Sequence, residues 1–129
     1  GGDIFLKCKT PITIAVYAGD SPLSLKIGLT VSPDDHIQAV CTSSGTVGHS
    51  LSLGRADAVC VASSNGALAD AMATAIGNRV HRPDDIHEAI AWGRCVDGVM
   101  GILIIVGDRM GAWGRLEVVP LNAEKEKIG

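Results

Sequence analysis

The sequence predicts an α+β fold in which an antiparallel sheet carries two helices on one face. Several short apolar or alternating segments come first, two helix-like segments follow each other, and strand-like segments then return. The turns between the strand-like segments are short, which favours antiparallel pairing because parallel neighbours need long crossovers. With 129 residues, of which 47% are hydrophobic, the chain is large enough to bury the core of one domain.

Strand-like segments make up the first part of the chain. Ile12, Ile14 and Val16 recur with a period of two, as expected for a strand with one buried face. A Gly-Asp-Ser-Pro turn at 19–22 separates this segment from the next alternating one. The predicted strands cover residues 4–8, 12–18, 25–31, 37–42 and 56–62, and the last is apolar enough to be covered on both faces.

Two helices are predicted after these strands. Polar residues at 63–65 offer N-caps for a helix over 67–76, and Gly77 suits the position just after its end. The second helix begins at Pro83, a residue favoured in the first helical turn, and ends at Gly93.

The last part of the sequence predicts a hairpin. Val99–Val106 is the most apolar segment of the chain, residues 107–111 form a turn, and residues 115–119 return as the second strand. Residues 121–129 are polar and charged, which is typical of a flexible tail.

Composition excludes several classes of protein. The net charge is −3 and the eleven Lys and Arg residues are scattered, so we expect no binding to nucleic acid. The longest apolar run, Val99–Val106, is far shorter than the roughly 20 residues that span a bilayer, so we expect no membrane insertion. The four cysteines form no C-x-x-C pair and the four histidines lack zinc spacing, which favours reduced thiols and a cytoplasmic location.

A candidate metal site lies in the helix predicted over 67–76. Asp70 and Thr74 are four residues apart, so their side chains share one face. The helix is apolar nearly all round, which predicts burial, and a buried carboxylate needs a partner. Carboxylate and hydroxyl oxygens suit Mg²⁺, often together with phosphate oxygens. The alternative is that Asp70 accepts hydrogen bonds from a neighbouring loop.

Two further stretches are candidates for ligand binding. Thr42, Ser43, Ser44 and Gly45 leave a strand with hydroxyls and backbone N–H groups that can cradle an anion, although a plain turn is the alternative. The stretch lacks the Gly-Lys-Ser/Thr ending of a P-loop, which argues against ATP binding by that route. Gly-Gly-Asp at 1–3 allows a flat or charged ligand to approach the backbone, or is a plain turn.

A thiol nucleophile is disfavoured. Cys41 and His49 are the candidate pair, but no third group that would orient the histidine is evident in the sequence.

These stretches together resemble the C-terminal half of ApbE-like FAD:protein FMN transferases. The matching pieces are GGDI at 1–4, TSSG at 42–45 and ADAMATA at 69–75, in the same order and with similar spacing. The closer resemblance is to an uncharacterised family related to ApbE, which carries versions of GGDI, CTSSGTVGHSLS.GRADAV and ALADA.ATAIGN. The resemblance covers the chain from Gly1 to about Pro120, and the long middle motif is its most specific part.

The resemblance implies a fold, two cofactors and a reaction. The fold is a T-fold-like unit, and Asp70 and Thr74 would bind Mg²⁺ beside the pyrophosphate of FAD. The reaction would be Mg²⁺-assisted attack of a protein Thr or Ser hydroxyl on that pyrophosphate, with release of AMP. The residues implied to border the cofactor are Gly2, Asp3, Thr42, Ser43, Ser44 and Gly45.

One departure from the transferases supports an alternative function. The transferases carry a longer insert after the Ser-Gly turn, with a His-Ile-Ile-Asp-Pro-like motif. Here the strand predicted at 56–62 follows Gly45 closely, and only His49 could replace that histidine. The alternative is a non-catalytic ApbE-related binding or interaction protein, linked to sulfur assimilation.

The resemblance also implies a missing partner unit. Residues 1–120 would form the C-terminal unit of the family, so the expected partner is the N-terminal half of the same protein or a second chain, with a homo-oligomer as a further alternative. The unit should then expose an apolar face, around 12–18 and Val99–Val106 or on the helix with Leu68 and Met72.

Overall fold

Eight strands and two helices form the described part of the chain. The computed structural model describes residues 2–5, 11–19, 21–32, 36–43 and 56–121, so Ser44, Gly45 and His49 lie outside the described residues. The helices are α1 (Gly66–Gly77) and α2 (Ile86–Gly93), and a short 3₁₀ turn, Pro83–Asp85, precedes α2. The strands are β1 (Gly2–Phe5), β2 (Ile12–Ala15), β3 (Ile27–Val31), β4 (Ala39–Ser43), β5 (Ala58–Ser63), β6 (Val99–Val106), β7 (Arg109–Gly114) and β8 (Glu117–Pro120).

The strands form two antiparallel sheets. The main sheet has the order β1-β4-β5-β6-β7, and the small sheet has the order β2-β3-β8. Both helices pack on one face of the main sheet, and the small sheet covers the other face. The predicted α+β class, with an antiparallel sheet and two helices on one face, is therefore confirmed. The separate small sheet was not predicted.

The main sheet is buried on both faces because the side chains of a strand point alternately to its two sides. Val61 and Ile102 pack toward the helices, whereas Cys60 and Leu103 pack toward the small sheet. All six residues of β5 are buried, as the sequence predicted. The expectation that Val99–Val106 lies on an exposed apolar face is wrong, since both of its faces are covered.

The first helix begins at Gly66, one residue before the predicted start, and its N-cap is one of the polar residues that the sequence offered. The side-chain oxygen of Asn65 accepts a hydrogen bond from the backbone N–H of Leu68 at 3.1 Å, which caps the helix. The C-terminus differs by one residue: Gly77 lies inside the helix, and Asn78 is the C-cap with a right-handed backbone. No helix among the described residues is long and apolar enough to cross a membrane.

The end of the chain folds differently from the predicted hairpin. The strand that pairs with β6 is β7, whereas β8 pairs with β3 in the small sheet. Gly114 has a φ of 96° where the chain leaves the main sheet, and buried Leu116 follows within the crossing. The sequence prediction missed β7 because three of its residues are Gly or Ala, so apolar and polar residues do not alternate along the segment.

Candidate functional site

Two of the sequence motifs lie side by side in the main sheet. In the β1–β4 pair, Gly2 is opposite Thr42 and Asp3 is opposite Cys41. Directly opposed residues of antiparallel strands have Cα atoms about 4.5 to 5.5 Å apart. The structure therefore brings Gly2 and Asp3 next to Cys41 and Thr42 of β4, although the two segments are far apart in sequence.

The hydroxyls at the end of β4 do not converge. The Oγ1 atom of Thr42 lies 3.4 Å from the Sγ atom of Cys60, on the face that packs against the small sheet. Ser43 is buried and, since successive strand residues alternate, lies on the helix-covered face. Cys41 shares that face, and its thiol donates to the backbone carbonyl of Gly66 in α1 at 3.8 Å. The hydroxyl of Thr42 therefore faces away from the helices, and the residue pairs with β1 on one side and with β5 on the other.

The described cysteines, Cys41, Cys60 and Cys95, form no disulfide. Cys41 and Cys60 are buried, and Cys95 is exposed just after α2. Burial raises the pKa of Cys60 from 9.0 to about 11, against the smaller effect of its hydrogen bond to Thr42. Because a thiolate is the reactive form, Cys60 is not a nucleophile at neutral pH.

The candidate metal ligands are exposed on α1. Asp70 and Thr74 lie on one face, as predicted, but that face points to solvent rather than to the core. The expectation that the whole helix is buried is wrong, because alanine is small and a strong helix former, so a face rich in alanine needs no cover. In the part of the chain that the structure describes, neither side chain makes a hydrogen bond or ion pair.

This pair fits an open magnesium site. Mg²⁺ keeps several waters and is usually held by one or two carboxylates together with phosphate oxygens. Asp70 and Thr74 can offer one carboxylate and one hydroxyl to such a shell. Among the described residues, no three His, Cys, Asp or Glu side chains gather into a metal-binding group, so the other ligands would be water, phosphate or groups elsewhere in the protein.

The structure also contains a cavity that the sequence did not predict. It has a volume of about 540 Å³ and lies between α2 and β7, with Ile90 and Arg94 on the helix side and Arg109 and Trp113 on the strand side. The signal in the sequence was the stripe at 83, 87, 90 and 94, which repeats at helical spacing. Because β7 was not predicted, the sequence did not show that a strand faces this stripe and closes the cavity.

The fold and the order of the motifs define an ApbE-related α+β protein. The family model described as "AbpE bacteria" matches residues 1–108. The chain belongs to this family.

Several curated relatives cover almost all of the chain. It is 43% identical over 129 residues to a "UPF0280 protein" of Methanocella arvoryzae, covering 99% of the chain and 52% of the relative. It is 42% identical over 133 residues to a "UPF0280 protein" of Methanothermobacter thermautotrophicus, covering 100% of the chain and 52% of the relative. The chain thus spans about half the length of the curated relatives it matches. That it corresponds to their C-terminal half stays a prediction.

Proposed function

We propose that the chain is the flavin- and Mg²⁺-binding unit of an ApbE-related protein that transfers FMN from FAD to a protein Thr or Ser hydroxyl. The observation that supports this most is the pairing of Gly2 with Thr42, which makes neighbours of two motifs that the resemblance assigns to one cofactor. In addition, α1 packs on β4 and β5 and carries Asp70 and Thr74 on its opposite, solvent-exposed face.

Each residue has a role that its position allows. The carboxylate of Asp70 and the hydroxyl of Thr74 would hold Mg²⁺ in an exposed position that a pyrophosphate can reach. When bound, the metal would neutralise charge on the phosphoryl oxygens. The backbone of Gly2 and Thr42 would line the cofactor, since the Thr42 hydroxyl contacts Cys60 on the other face.

The remaining assignments rest on the resemblance. Asp3 would border the flavin from its place opposite Cys41, and Ser43 from the helix-covered face of β4. Ser44 and Gly45 keep the cofactor role predicted from sequence. We further propose a cytoplasmic location and a partner that is the N-terminal half of the protein, a second chain or another copy.

Flavin absorbance tests the proposal. The protein is incubated with FAD with and without Mg²⁺, and we expect a shifted and sharpened flavin spectrum that requires the metal. An acceptor protein is then added, and AMP release establishes transfer. An unchanged flavin spectrum at saturating FAD and Mg²⁺ would contradict the proposal.

A non-catalytic binding or interaction protein, linked to sulfur assimilation, is the second candidate. It is favoured by the short connection after the Ser-Gly turn, because β5 already begins at Ala58 and leaves little chain for the insert of the transferases. Flavin binding without AMP release, across a panel of Thr- and Ser-containing acceptors, would support this candidate over the transferase.

A further inference from the structure

The strand β7 is the last strand of the main sheet among the residues that the structure describes. No described strand pairs with its outer side. The β6–β7 hairpin has a two-residue loop, so Arg109 and Val106, which flank the loop, form a hydrogen-bonded pair. Hydrogen-bonded and non-hydrogen-bonded pairs alternate along an antiparallel ladder. Gly111 and Trp113 therefore also direct their backbone groups toward β6. Met110 and Ala112 therefore direct their backbone N–H and C=O groups outward. Both residues are exposed.

This edge borders the cavity between α2 and β7. The helix packs closely on the middle of the strand, since a Cβ added to Gly111 would lie 2.6 Å from Ile86 Cγ2 and 3.0 Å from Ile90 Cδ1. Ile90 and Trp113 are half-buried and form apolar walls. The cavity, of about 540 Å³, is thus a groove with a helix on one side and, on the other, a strand edge that no described strand pairs with.

The groove carries positive charge. Arg94 and Arg109 both line it, and among the described lining residues only Asp84 carries a carboxylate. Asp84 Oδ1 lies 3.8 Å from Arg109 Nη1, with both side chains mostly exposed, so this ion pair is weak. Arg94 makes no ion pair with any residue that the structure describes. A ligand with negative groups complements this lining.

We propose that the groove binds an extended acidic peptide segment, which adds to β7 as a further strand. In strand addition, backbone hydrogen bonds give affinity and pockets for alternate side chains give specificity. Every second side chain of the added strand would face the groove. The peptide residue opposite Arg109 should be acidic, and the one opposite Gly111 should be apolar. The residue opposite Trp113 should again be acidic, because Arg94 lines the cavity together with Trp113. This inference is independent of the flavin proposal.

A synthetic peptide tests the charge pattern. The probe is a fluorescein-labelled Thr-Glu-Thr-Val-Thr-Glu-Thr with a C-terminal amide, and its anisotropy is measured against the 129-residue chain at low salt. The matched control has Gln in place of both Glu residues. We expect the Glu peptide to bind roughly tenfold more tightly, as two exposed ion pairs allow.

N-methylated peptides test the backbone contacts. One version carries methyl groups on the backbone nitrogens of the Glu and Val residues, and the other carries them on the intervening Thr residues. Because alternate N–H groups of an added strand point to opposite sides, one version should lose binding and the other should keep it. Equal effects of the two versions would overturn strand addition.

Two protein variants test the site itself. Arg94→Gln combined with Arg109→Gln should remove the preference for Glu over Gln while leaving the Gln peptide unaffected. Ala112→Pro removes an outward N–H without removing a bond to β6, so it should abolish binding, whereas Ala112→Ser should not. Circular dichroism and thermal melts establish that each variant is folded. If Ala112→Pro does not fold, the result with the double arginine variant decides whether the groove binds the peptide.

Other occupants of the groove would give different results. Competition by free glutarate as effective as by the unlabelled Glu peptide would point to a small-anion site and overturn the proposal. A dimer of the chain in sedimentation that Ala112→Pro dissociates would make a second copy the occupant and overturn it too. Absence of any binding of the Glu peptide at millimolar concentration would do the same.

Discussion

Asp70 is the residue whose substitution would separate the proposed metal binding from folding. Its side chain is exposed and makes no hydrogen bond or ion pair with the residues that the structure describes, so Asp70→Asn should change the free energy of unfolding by less than about 0.5 kcal/mol. Loss of the charged oxygen should weaken Mg²⁺-dependent FAD binding at least roughly tenfold. Isothermal titration with FAD at several Mg²⁺ concentrations measures the change.

Asp97→Asn is the matched control, because Asp97 is also exposed and lies in the turn after α2. It should leave flavin and metal affinity unchanged. If Asp70→Asn instead unfolds the protein, and the wild-type protein shows no metal dependence, Asp70 is structural and the metal assignment is wrong.

Cys60 should make stability depend on pH in the alkaline range. Its pKa is raised by burial from 9.0 to about 11, so the folded state favours the protonated thiol. The contribution of this pKa shift to the free energy of unfolding is fully present below pH 9. It is lost as pH rises toward 11, because the thiol ionises at lower pH in the unfolded state than in the folded state. Two pKa units correspond to about 2–3 kcal/mol.

Urea unfolding between pH 8 and 11 measures this effect. Cys60→Ala should be less stable at pH 8 because of the cavity it leaves, but its stability should fall by about 2–3 kcal/mol less over that range than that of the wild type. Cys95→Ala, which removes an exposed thiol, should keep the wild-type decline. Parallel curves for wild type and Cys60→Ala would contradict the prediction.

At the scale of elements, Gly114 controls the crossing from β7 to β8. It has a φ of 96°, which L side chains rarely adopt, and an added Cβ would collide with the carbonyl oxygen of Met100. Gly114→Ala should therefore destabilise the protein by about 3 kcal/mol. Gly107→Ala is the control, because its φ is 62° and an added Cβ meets nothing within 4 Å; it should cost about 1 kcal/mol. Denaturant midpoints compare the two, and equal losses would show that crowding at the crossing is unimportant.

Strong periodicity and caps were readable in the sequence. β6 has the predicted bounds, and Asn65 caps α1, because an eight-residue apolar run and a capping side chain are local signals. β7 was missed since its pattern is weak and its position at the edge depends on pairing with β6. The assignment of β8 to the small sheet depends on the positive φ at Gly114, which only the folded chain reveals.

The candidate site was partly readable for the same reason. Four-residue spacing places Asp70 and Thr74 on one face without any tertiary information. Their exposure was not readable, because an alanine-rich helix has nearly the same composition on its buried and exposed faces. The opposite orientations of Thr42 and Ser43 follow from strand alternation, but which face Thr42 takes depends on the second sheet.

At the scale of the whole molecule, the two sheets and the helices cover most of the apolar surface where a partner unit was expected. Met72 is buried and Leu68 is half-buried in α1, and β6 is covered on both sides. The large apolar side chains that the described residues leave exposed are Tyr17, Leu25 and Met110. A partner unit would therefore join through smaller patches or through a strand edge rather than through an open sheet face.

The last prediction concerns cofactor affinity in this chain and in a longer relative. The chain spans about half of the Methanothermobacter thermautotrophicus relative. Its exposed Asp70 and Thr74 would offer Mg²⁺ only one carboxylate and one hydroxyl. If the rest of the relative completes the site, the 129-residue chain should bind FAD at least roughly tenfold more weakly than the full-length relative at the same Mg²⁺ concentration. Flavin fluorescence titrations of both proteins measure the difference, with thermal melts as the control that both are folded.

Adding the remaining half of the relative as a separate chain should restore part of the lost affinity. Equal affinity of the two proteins would show that the site is complete within this chain.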